Sequence, residues 1–273
     1  HDSDKKISKQ LGDGKLLSQI TKRTVVNNFR QEDLINGGEG APLTPIFHKL
    51  IADLLHKKNN INYPLNIINI GGITNITQIL NHKVKIDSNL YAYDIGPGNC
   101  LIDEWVRKNS NKQYDENGDI ANSGTINQLI LNQAIENFNF KRFDKSLDTK
   151  DFDISFVRGL SLEDGCATLT KFSAYLIANG IQYVDNHNNS FSKTNLVCGG
   201  GRKNTFLIKL INEYLTKEKI IEKIDKYDLD GDFIESQAFA YLSIRSFLKL
   251  PISFPDTTRC NYPTVGGIVN SNF

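Results

Sequence analysis

The sequence predicts an α/β protein, in which helices pack on the faces of a sheet. Short apolar runs that end in glycine turns alternate with longer segments whose apolar residues recur at helical spacing. Such alternation is typical of an α/β or mixed sheet. The 273 residues are 39% hydrophobic and 23% charged, which is the composition of a globular chain and not of a disordered one.

Composition also argues against several classes of function. Lys+Arg 32 against Asp+Glu 31 gives a net charge of +1, so attraction of the whole surface to nucleic acid is not expected. No apolar run approaches the ~20 residues that cross a bilayer, and no secretory signal opens the chain. The four cysteines form no CxxC pair, so neither a disulfide framework nor a zinc site is predicted.

The N-terminal part of the chain carries little pattern. The first thirty residues are polar, and a glycine-rich turn follows at 37–40. Apolar residues at helical spacing, with proline near their start, predict a helix over 46–55. The chain has no methionine and begins HDSDKKISKQ, which predicts a fragment or a broken reading frame.

The remaining elements alternate between strands and helices. Asn99 is expected to cap the helix that follows the third strand, and Ser161 to Asp164 resembles a capping box. The closing segment contains three prolines and is expected to be extended. The pattern predicts strands at 65–70, 73–80, 91–95, 195–198 and 220–221, and helices at 100–106, up to 137, 161–178, 204–214 and 232–248.

Three glycine turns each follow an apolar strand. They are Gly71-Gly72 within NIGGITN, Gly96-Pro97-Gly98 within DIGPGN, and Gly199-Gly200-Gly201 within CGGGRKN. Glycine lets backbone N–H groups approach a phosphate closely, so three such turns favour a nucleotide site. The alternative is that each glycine pair only makes a tight turn. Neither GxxxxGK[ST] nor GxGxxG is present, so no standard phosphate fingerprint explains the turns.

Two carboxylates are candidates for acid–base chemistry. Asp94 lies where a strand stops, which suits a general base, although it equally suits a side chain that satisfies its own turn. Glu235 follows Asp232 by three residues, so this pair also reads as a capping box. Asp103 is expected to be a capping or surface residue. Arg30 and Glu39, together with Asp33, crowd the first glycine-rich turn and suit either a polar sugar or solvent.

Six segments carry a more specific signal. In chain order they are NNFRQEDLINGGEGAPLTPIFH, NIGGITNIT, YDIGPGNCLIDEW, KSLDTKDFD, LVCGGGRKN and GDFIESQAFAYLSIR. Together they resemble the anhydro-N-acetylmuramic acid kinase family over nearly the whole chain. The resemblance implies an RNase H-like fold of the actin and sugar-kinase class, with a largely complete C-terminal lobe and a partial N-terminal lobe. It implies domains at 1–62, 63–250 and 251–273, the last a tail packed on the lobes.

The resemblance also implies a reaction. A cytoplasmic kinase of peptidoglycan recycling would use ATP, Mg2+ and water to convert 1,6-anhydro-N-acetylmuramic acid to N-acetylmuramic acid 6-phosphate, with small-molecule partners and a possible homodimer. Asp94 would be the base that takes a proton from water, and Glu235 would position that water. The resemblance implies nucleotide contacts from Gly71, Gly72, Asn75, Gly199, Gly200, Gly201 and Asn204, and sugar contacts from Arg30, Glu39, Gly96 and Asn99.

The chain departs from the family pattern in ways that bear on activity. A GTSxDGxD-type first phosphate loop and a CHGQT-type segment are absent from the sequence, and Asn28 stands where the family usually has Asp. The Mg2+ carboxylate is therefore expected in a missing N-terminal segment. Two further hypotheses follow: an inactive or partner-dependent remnant, and a glycoside hydrolase that uses Asp94 and Glu235 without ATP.

Overall fold

The computed structural model describes residues 1–81, 89–138 and 146–272; Lys145, the first residue of the KSLDTKDFD segment, lies outside these ranges. The described helices are α1 Gly14–Thr21, α2 Gln31–Ile35, α3 Pro45–Asn59, α4 Cys100–Asn109, α5 Asp119–Ser123, α6 Gln128–Asn137, α7 Leu162–His187, α8 Thr205–Tyr214, α9 Ile234–Phe247 and α10 Pro255–Thr258. The described strands are β1 Val25–Asn27, β2 Leu65–Ile70, β3 Ile73–Ile79, β4 Leu90–Pro97, β5 Thr194–Cys198, β6 Ile220–Lys223 and β7 Ile268–Asn270.

The chain divides into two compact units. The first contains residues His1–Asn60, Ile79–Ala92 and Phe233–Phe273, and the second contains Ile61–Gln78 and Tyr93–Asp232. The first unit thus combines the two ends of the chain, whereas the boundaries expected from the resemblance divide it consecutively. Those expected boundaries stay a prediction.

A five-stranded sheet runs in the order β4-β3-β2-β5-β6. The three strands that are consecutive in sequence lie side by side, and β5 then pairs in parallel with β2 and β6 with β5. Parallel neighbours such as β2 and β5 need a long connection. The chain between these two strands contains β3, β4 and helices α4 to α7. This arrangement confirms the predicted α/β class and is the one that an RNase H-like lobe requires.

The second unit has a core between α4 and α7. Trp105 on α4 is buried, and its indole N–H donates to the Leu162 carbonyl at 2.9 Å. A Cβ at Gly165 of α7 would lie 2.4 Å from the Trp105 ring, so only glycine lets these helices pack this closely. The sequence predicted that α7 would end near 178, but Gly180 packs against Ile95 of β4 and the helix continues to His187.

The first unit is held together by contacts between distant parts of the chain. β1 pairs antiparallel with β7, with Val26 opposite Val269. The Phe29 and Phe239 rings meet edge to face at 5.4 Å. Helix α1 and β1 lie in a stretch where no element was predicted, and the closing segment, expected to be extended, contains the single turn of α10.

Candidate active site

The candidate site is built on three glycine turns at one edge of the five-stranded sheet. Gly71 and Gly72 join β2 to β3, the Gly96-Pro97-Gly98 turn begins at the end of β4 and leads into α4, and residues 199–201 follow β5. Because β2 and β5 are parallel, with Asn69 paired with Cys198, both strands end at the same edge. In sheets with parallel strands, ligands bind at this edge.

The first two turns touch each other through their backbones. The N–H groups of Gly98 and Cys100 donate to the Gly72 carbonyl at 2.9 and 3.2 Å, and the Asn99 N–H donates to the Gly71 carbonyl at 2.8 Å. A Cβ at Gly98 would lie 2.3 Å from the Gly71 oxygen, so only glycine permits this contact. The expected Asn99 cap is wrong, because among the described residues its side chain makes no capping hydrogen bond. Carbonyl groups therefore already occupy the start of α4.

The third turn packs on the end of β2. A Cβ at Gly201 would lie 2.2 Å from the Ile70 side chain, which leaves no room for any other residue. A Cβ at Gly200 would instead meet only the Asn99 amide nitrogen, at 3.9 Å. Gly200 therefore faces open space beside the second turn. The structure brings all three predicted turns together in one unit.

Asp94 lies on β4, two residues before Gly96. Its side chain is 8% exposed, and its Oδ2 accepts hydrogen bonds from the Leu147 N–H at 2.8 Å and the Ser146 hydroxyl at 3.2 Å. These donors orient the carboxylate from outside its own turn. The carboxylate is therefore held in one position at the edge of the sheet, as a general base requires.

A cavity of about 540 Å³ opens beside these turns. This volume lies within the range of small-ligand sites. Three predicted site residues line it, namely Asn99, Gly200 and Asn204. Its other walls are formed by Ile102, Asp103, Arg107, Gln113, Tyr114, Asp115, Glu116, Asn117 and Lys203.

Asn204 and Asp115 also have structural roles in this wall. The Asn204 side chain accepts a hydrogen bond from the Leu207 N–H at 2.8 Å and so caps α8. The Asp115 carboxylate accepts from the N–H groups of Ile120 and Ala121 at 2.8 and 3.0 Å, at the start of α5.

Asp103 belongs to the cavity wall, which the sequence did not anticipate. It is half-buried on α4 and not simply a capping or surface residue as expected. Burial raises its pKa to about 6; the positive charge of Arg107 opposes this rise, and the negative charge of Asp115 adds to it. The helical spacing of Asn99, Asp103 and Arg107 was the available signal for a shared face.

Asn75 lies on β3 beside the first turn. Its Oδ1 and the neighbouring Thr74 hydroxyl are buried without a hydrogen-bond partner among the described residues. Buried polar atoms normally have partners in the protein, in water or in a ligand. The Asn75 oxygen is therefore consistent with a polar ligand near Gly71 and Gly72, whereas Thr74, as the preceding residue of the strand, points to the opposite face.

Arg202 fastens the third turn to the segment that precedes α9. Its side chain is 4% exposed, and it donates to the Gly199 carbonyl at 3.0 Å. It also binds both carboxylate oxygens of Asp225, at 2.8 and 2.9 Å, and Asp232 at 2.7 Å. Hydrogen bonds from Arg202 lower the pKa of both carboxyl groups below the ordinary value. Local sequence patterns do not reveal this residue, because its partners are 23 and 30 positions away.

The predicted capping box at Asp232 is wrong. Helix α9 begins at Ile234, and its N-cap residue Phe233 makes no side-chain capping bond among the described residues. The Asp232 carboxylate instead accepts from Arg202 and, at 2.6 Å, from Lys203. The Asp232 carboxylate thus binds two cationic side chains, and with them it gains opposite charge as well as hydrogen bonds.

The other predicted site residues lie in the first unit. Glu235 is exposed in the first turn of α9. Arg30 donates to the Gly40 carbonyl at 2.6 Å, and the Glu39 N–H donates to the Thr258 carbonyl at 2.7 Å. Asp33 is buried and accepts from the Gly40 N–H at 2.7 Å, so it shapes the glycine-rich turn from within.

Comparison with known proteins identifies the family. The sequence profile of the family described as anhydro-N-acetylmuramic acid kinase matches residues 1–271. A protein of Pelagibacter ubique named anhydro-N-acetylmuramic acid kinase is 50% identical over all of this chain and 72% of its own length. One of Zymomonas mobilis with the same name is 38% identical over 96% of this chain and 67% of its own length.

The chain belongs to the anhydro-N-acetylmuramic acid kinase family, and so to the kinases, which confirms the resemblance seen in its sequence. Among solved structures it is similar to the activator of the 2-hydroxyisocaproyl-CoA dehydratase from Clostridium difficile with bound ADPNP. That likeness has a TM-score of 0.41 and 12% identity, and covers 69% of this chain and 64% of the other.

Metal ligands are sparse in the described part of the chain. No group of three or more His, Cys, Asp or Glu side chains there is arranged to hold a metal ion. Mg2+ at nucleotide sites is commonly held by one or two carboxylates together with the phosphates. In residues 1–81, 89–138 and 146–272, no helix is long and apolar enough to span a bilayer.

Proposed function

We propose that this chain uses ATP and water to convert 1,6-anhydro-N-acetylmuramic acid to N-acetylmuramic acid 6-phosphate. The observation that carries this proposal is the convergence of three glycine turns beside a cavity of about 540 Å³, on the same sheet edge as Asp94. A hydrolase that needs no ATP would leave this convergence unexplained. Membership of the family supports the same reaction.

The nucleotide would lie along the cavity. Its adenosine would lie against residues 199–201 and Asn204, of which Gly200 and Asn204 line the cavity. Its phosphates would extend from there to Gly71, Gly72 and the Asn75 oxygen that has no hydrogen-bond partner among the described residues. Gly200 offers the open surface, since its neighbours Gly199 and Gly201 pack against β2. Phosphoryl transfer depends mainly on such positioning and on electrostatic stabilisation.

Asp94 would act as the general base. It would take a proton from water while the water oxygen bonds to the anomeric carbon of the sugar. The bond from that carbon to the bridging oxygen then breaks, and the freed oxygen attacks the γ-phosphate, which releases ADP. The hydrogen bonds from Ser146 and Leu147 would hold the carboxylate in place for this step.

The remaining assignments extend the proposal to the sugar and to the ion. Gly96, Asn99, Arg30 and Glu39 would contact the sugar. Glu235 would position the attacking water. Mg2+ would accompany the phosphates.

The cellular role follows from the substrate. An anhydro-muramic sugar derives from peptidoglycan, so the reaction would serve its recycling in the cytoplasm. Small molecules would be the partners, without nucleic acid or membrane, and a homodimer is the proposed assembly.

A coupled assay of ADP release tests this function. The chain should release ADP only when both ATP and 1,6-anhydro-N-acetylmuramic acid are present. Asp94→Asn should lower kcat by at least about 100-fold, because it removes the base, and should leave the Kd for ADP within about twofold. Turnover of the sugar without ATP, or an absence of ADP release by the wild-type chain, would contradict the proposal. Near-normal turnover by Asp94→Asn would remove that residue from the role of base.

A further inference from the structure

Helix α4 presents a polar stripe to the cavity. Asn99, Asp103 and Arg107 follow one another at intervals of four residues, and all three line the cavity wall. Residues four apart lie on one face of a helix, separated by about 6 Å along its axis. The three side chains are therefore placed to contact three successive parts of a ligand that lies beside α4.

The start of the stripe lies beside the proposed phosphate site. The backbone of Asn99 is bonded to Gly71, and a Cβ at Gly72 would lie 3.9 Å from that of Cys100. In a nucleotide the ribose follows the phosphates directly, and the base lies beyond it. Asp103, one helical turn further along α4, is therefore next to the position of the ribose. Arg107 is next to the position of the base.

The chemistry of Asp103 favours the same assignment. A carboxylate repels phosphate, so Asp103 suits a neutral part of the ligand that donates hydrogen bonds. The paired hydroxyl groups of ribose are such donors, and carboxylates bind them in dinucleotide sites. Among the described residues no donor hydrogen-bonds to the Asp103 carboxylate, whereas the Asp115 carboxylate in the same wall accepts two backbone N–H groups at the start of α5.

We propose that Asp103 binds the ribose hydroxyl groups of the nucleotide and selects ribonucleotides over 2′-deoxyribonucleotides. This inference rests on the proposed nucleotide site. It adds a specificity-determining residue that contributes to nucleotide choice and not to the chemical step.

The half-buried position of Asp103 makes the selection dependent on pH. Because burial raises its pKa to about 6, the carboxyl is ionised at pH 8 and largely protonated at pH 5. The ionised form accepts hydrogen bonds from both hydroxyl groups, so the preference for ribose should weaken as the pH falls through about 6. The other charged or titratable groups that line the cavity are Arg107, Tyr114, Asp115, Glu116 and Lys203.

Calorimetric binding of ADP and 2′-deoxy-ADP to the full chain tests this inference. At pH 8 the wild-type chain should bind ADP about tenfold more tightly, because a hydrogen bond to a charged group is lost with the 2′-hydroxyl. Asp103→Asn should reduce that ratio to about threefold or less. Glu104→Gln is the matched control, because Glu104 is the next residue of α4, pairs with Lys108 at 2.5 Å and does not line the cavity. It should leave the ratio unchanged.

The two nucleotides carry the same phosphates, so the titration of phosphate cancels in the ratio. The wild-type ratio should therefore fall between pH 8 and pH 5, and this arm requires no variant to fold. Equal binding of the two nucleotides by the wild-type chain at pH 8, or a ratio that Asp103→Asn leaves unchanged, would overturn the inference while the nucleotide site stands. A wild-type chain that binds neither nucleotide would instead overturn the proposed function and this inference with it.

Discussion

Gly200 and Gly201 are neighbours in one turn, yet they have different surroundings. A Cβ at Gly201 would collide with Ile70 at 2.2 Å and would lie 3.0 Å from the Ile70 carbonyl oxygen. A Cβ at Gly200 would meet only the Asn99 amide at 3.9 Å, in the wall of the cavity. Gly201 is therefore required for packing against Ile70, whereas Gly200 borders the open cavity.

Substitution of these two glycines should separate binding from stability. Gly200→Val should weaken ADP binding by about tenfold or more, because its side chain enters the cavity, and should change the free energy of unfolding by less than about 0.5 kcal/mol. Gly201→Ala should lower the free energy of unfolding by about 1–3 kcal/mol through overpacking. Calorimetry and urea unfolding measure the two effects. Wild-type ADP affinity in Gly200→Val would remove this turn from the nucleotide site.

At the scale of elements, Arg202 joins two segments that are separate in sequence. The turn after β5 and the segment before α9 converge on its guanidinium group, which is almost fully buried. A Cβ at Gly231 would lie 2.3 Å from its Nε, so the second segment wraps closely around it. Arg202 and Lys203 together thus balance the charges of Asp225 and Asp232, and Arg202 also holds the Gly199 carbonyl at the candidate site.

Loss of Arg202 should destabilise the second unit and loosen the third turn. Arg202→Met should lower the free energy of unfolding by about 1–3 kcal/mol and weaken ADP binding several-fold. Arg202→Lys should rescue little, because lysine cannot bind the Asp225 carboxylate with two fixed donors. Lys226→Met is the control, since it removes a lysine whose ion pair with Glu222 and cation–π contact with Tyr227 lie at the surface, and it should cost less than about 1 kcal/mol. Full recovery of stability in Arg202→Lys would contradict this role.

The ion pairs of Arg202 with Asp225 and Asp232 should contribute less to the free energy of unfolding at low pH. Arg202 depresses the folded-state pKa of Asp225 and Asp232 below the ordinary value of 3.8. Their contribution to stability is therefore fully present above about pH 4 and is lost as the pH falls through the lowered folded-state values. Comparison of unfolding at pH 7 and pH 3 should show the difference between wild type and Arg202→Met shrinking at low pH.

At the scale of the whole molecule, the candidate site residues are divided between two units. The three glycine turns, Asp94 and the cavity belong to the second unit, whereas Arg30, Glu39 and Glu235 belong to the first. The proposed nucleotide contacts therefore all belong to the second unit.

Nucleotide binding should accordingly protect the second unit. ADP at a free concentration of about 100 times its Kd should raise the free energy of unfolding by about 2.7 kcal/mol. Hydrogen exchange measured by mass spectrometry should slow in peptides from β2, α4 and residues 199–204. Protection confined to the first unit would contradict the placement of the nucleotide.

The sequence by itself was informative where the signal is local. Strand runs such as 65–70 end in glycine, so the element and its turn could both be predicted within one or two residues. The resemblance to the kinase family likewise rested on contiguous segments, which need no knowledge of the fold. The candidate turns and Asp94 could accordingly be predicted without knowledge of where they lie in the folded chain.

Tertiary structure decided what depends on residues far apart in the chain. Strand β1 forms because β7, from the opposite end of the chain, pairs with it. Asp232 binds Arg202 and does not cap α9, and Asp103 faces a cavity whose other wall comes from residues 200–204. Short-range patterns cannot predict such contacts, because their energy comes from partners that only the folded chain brings together.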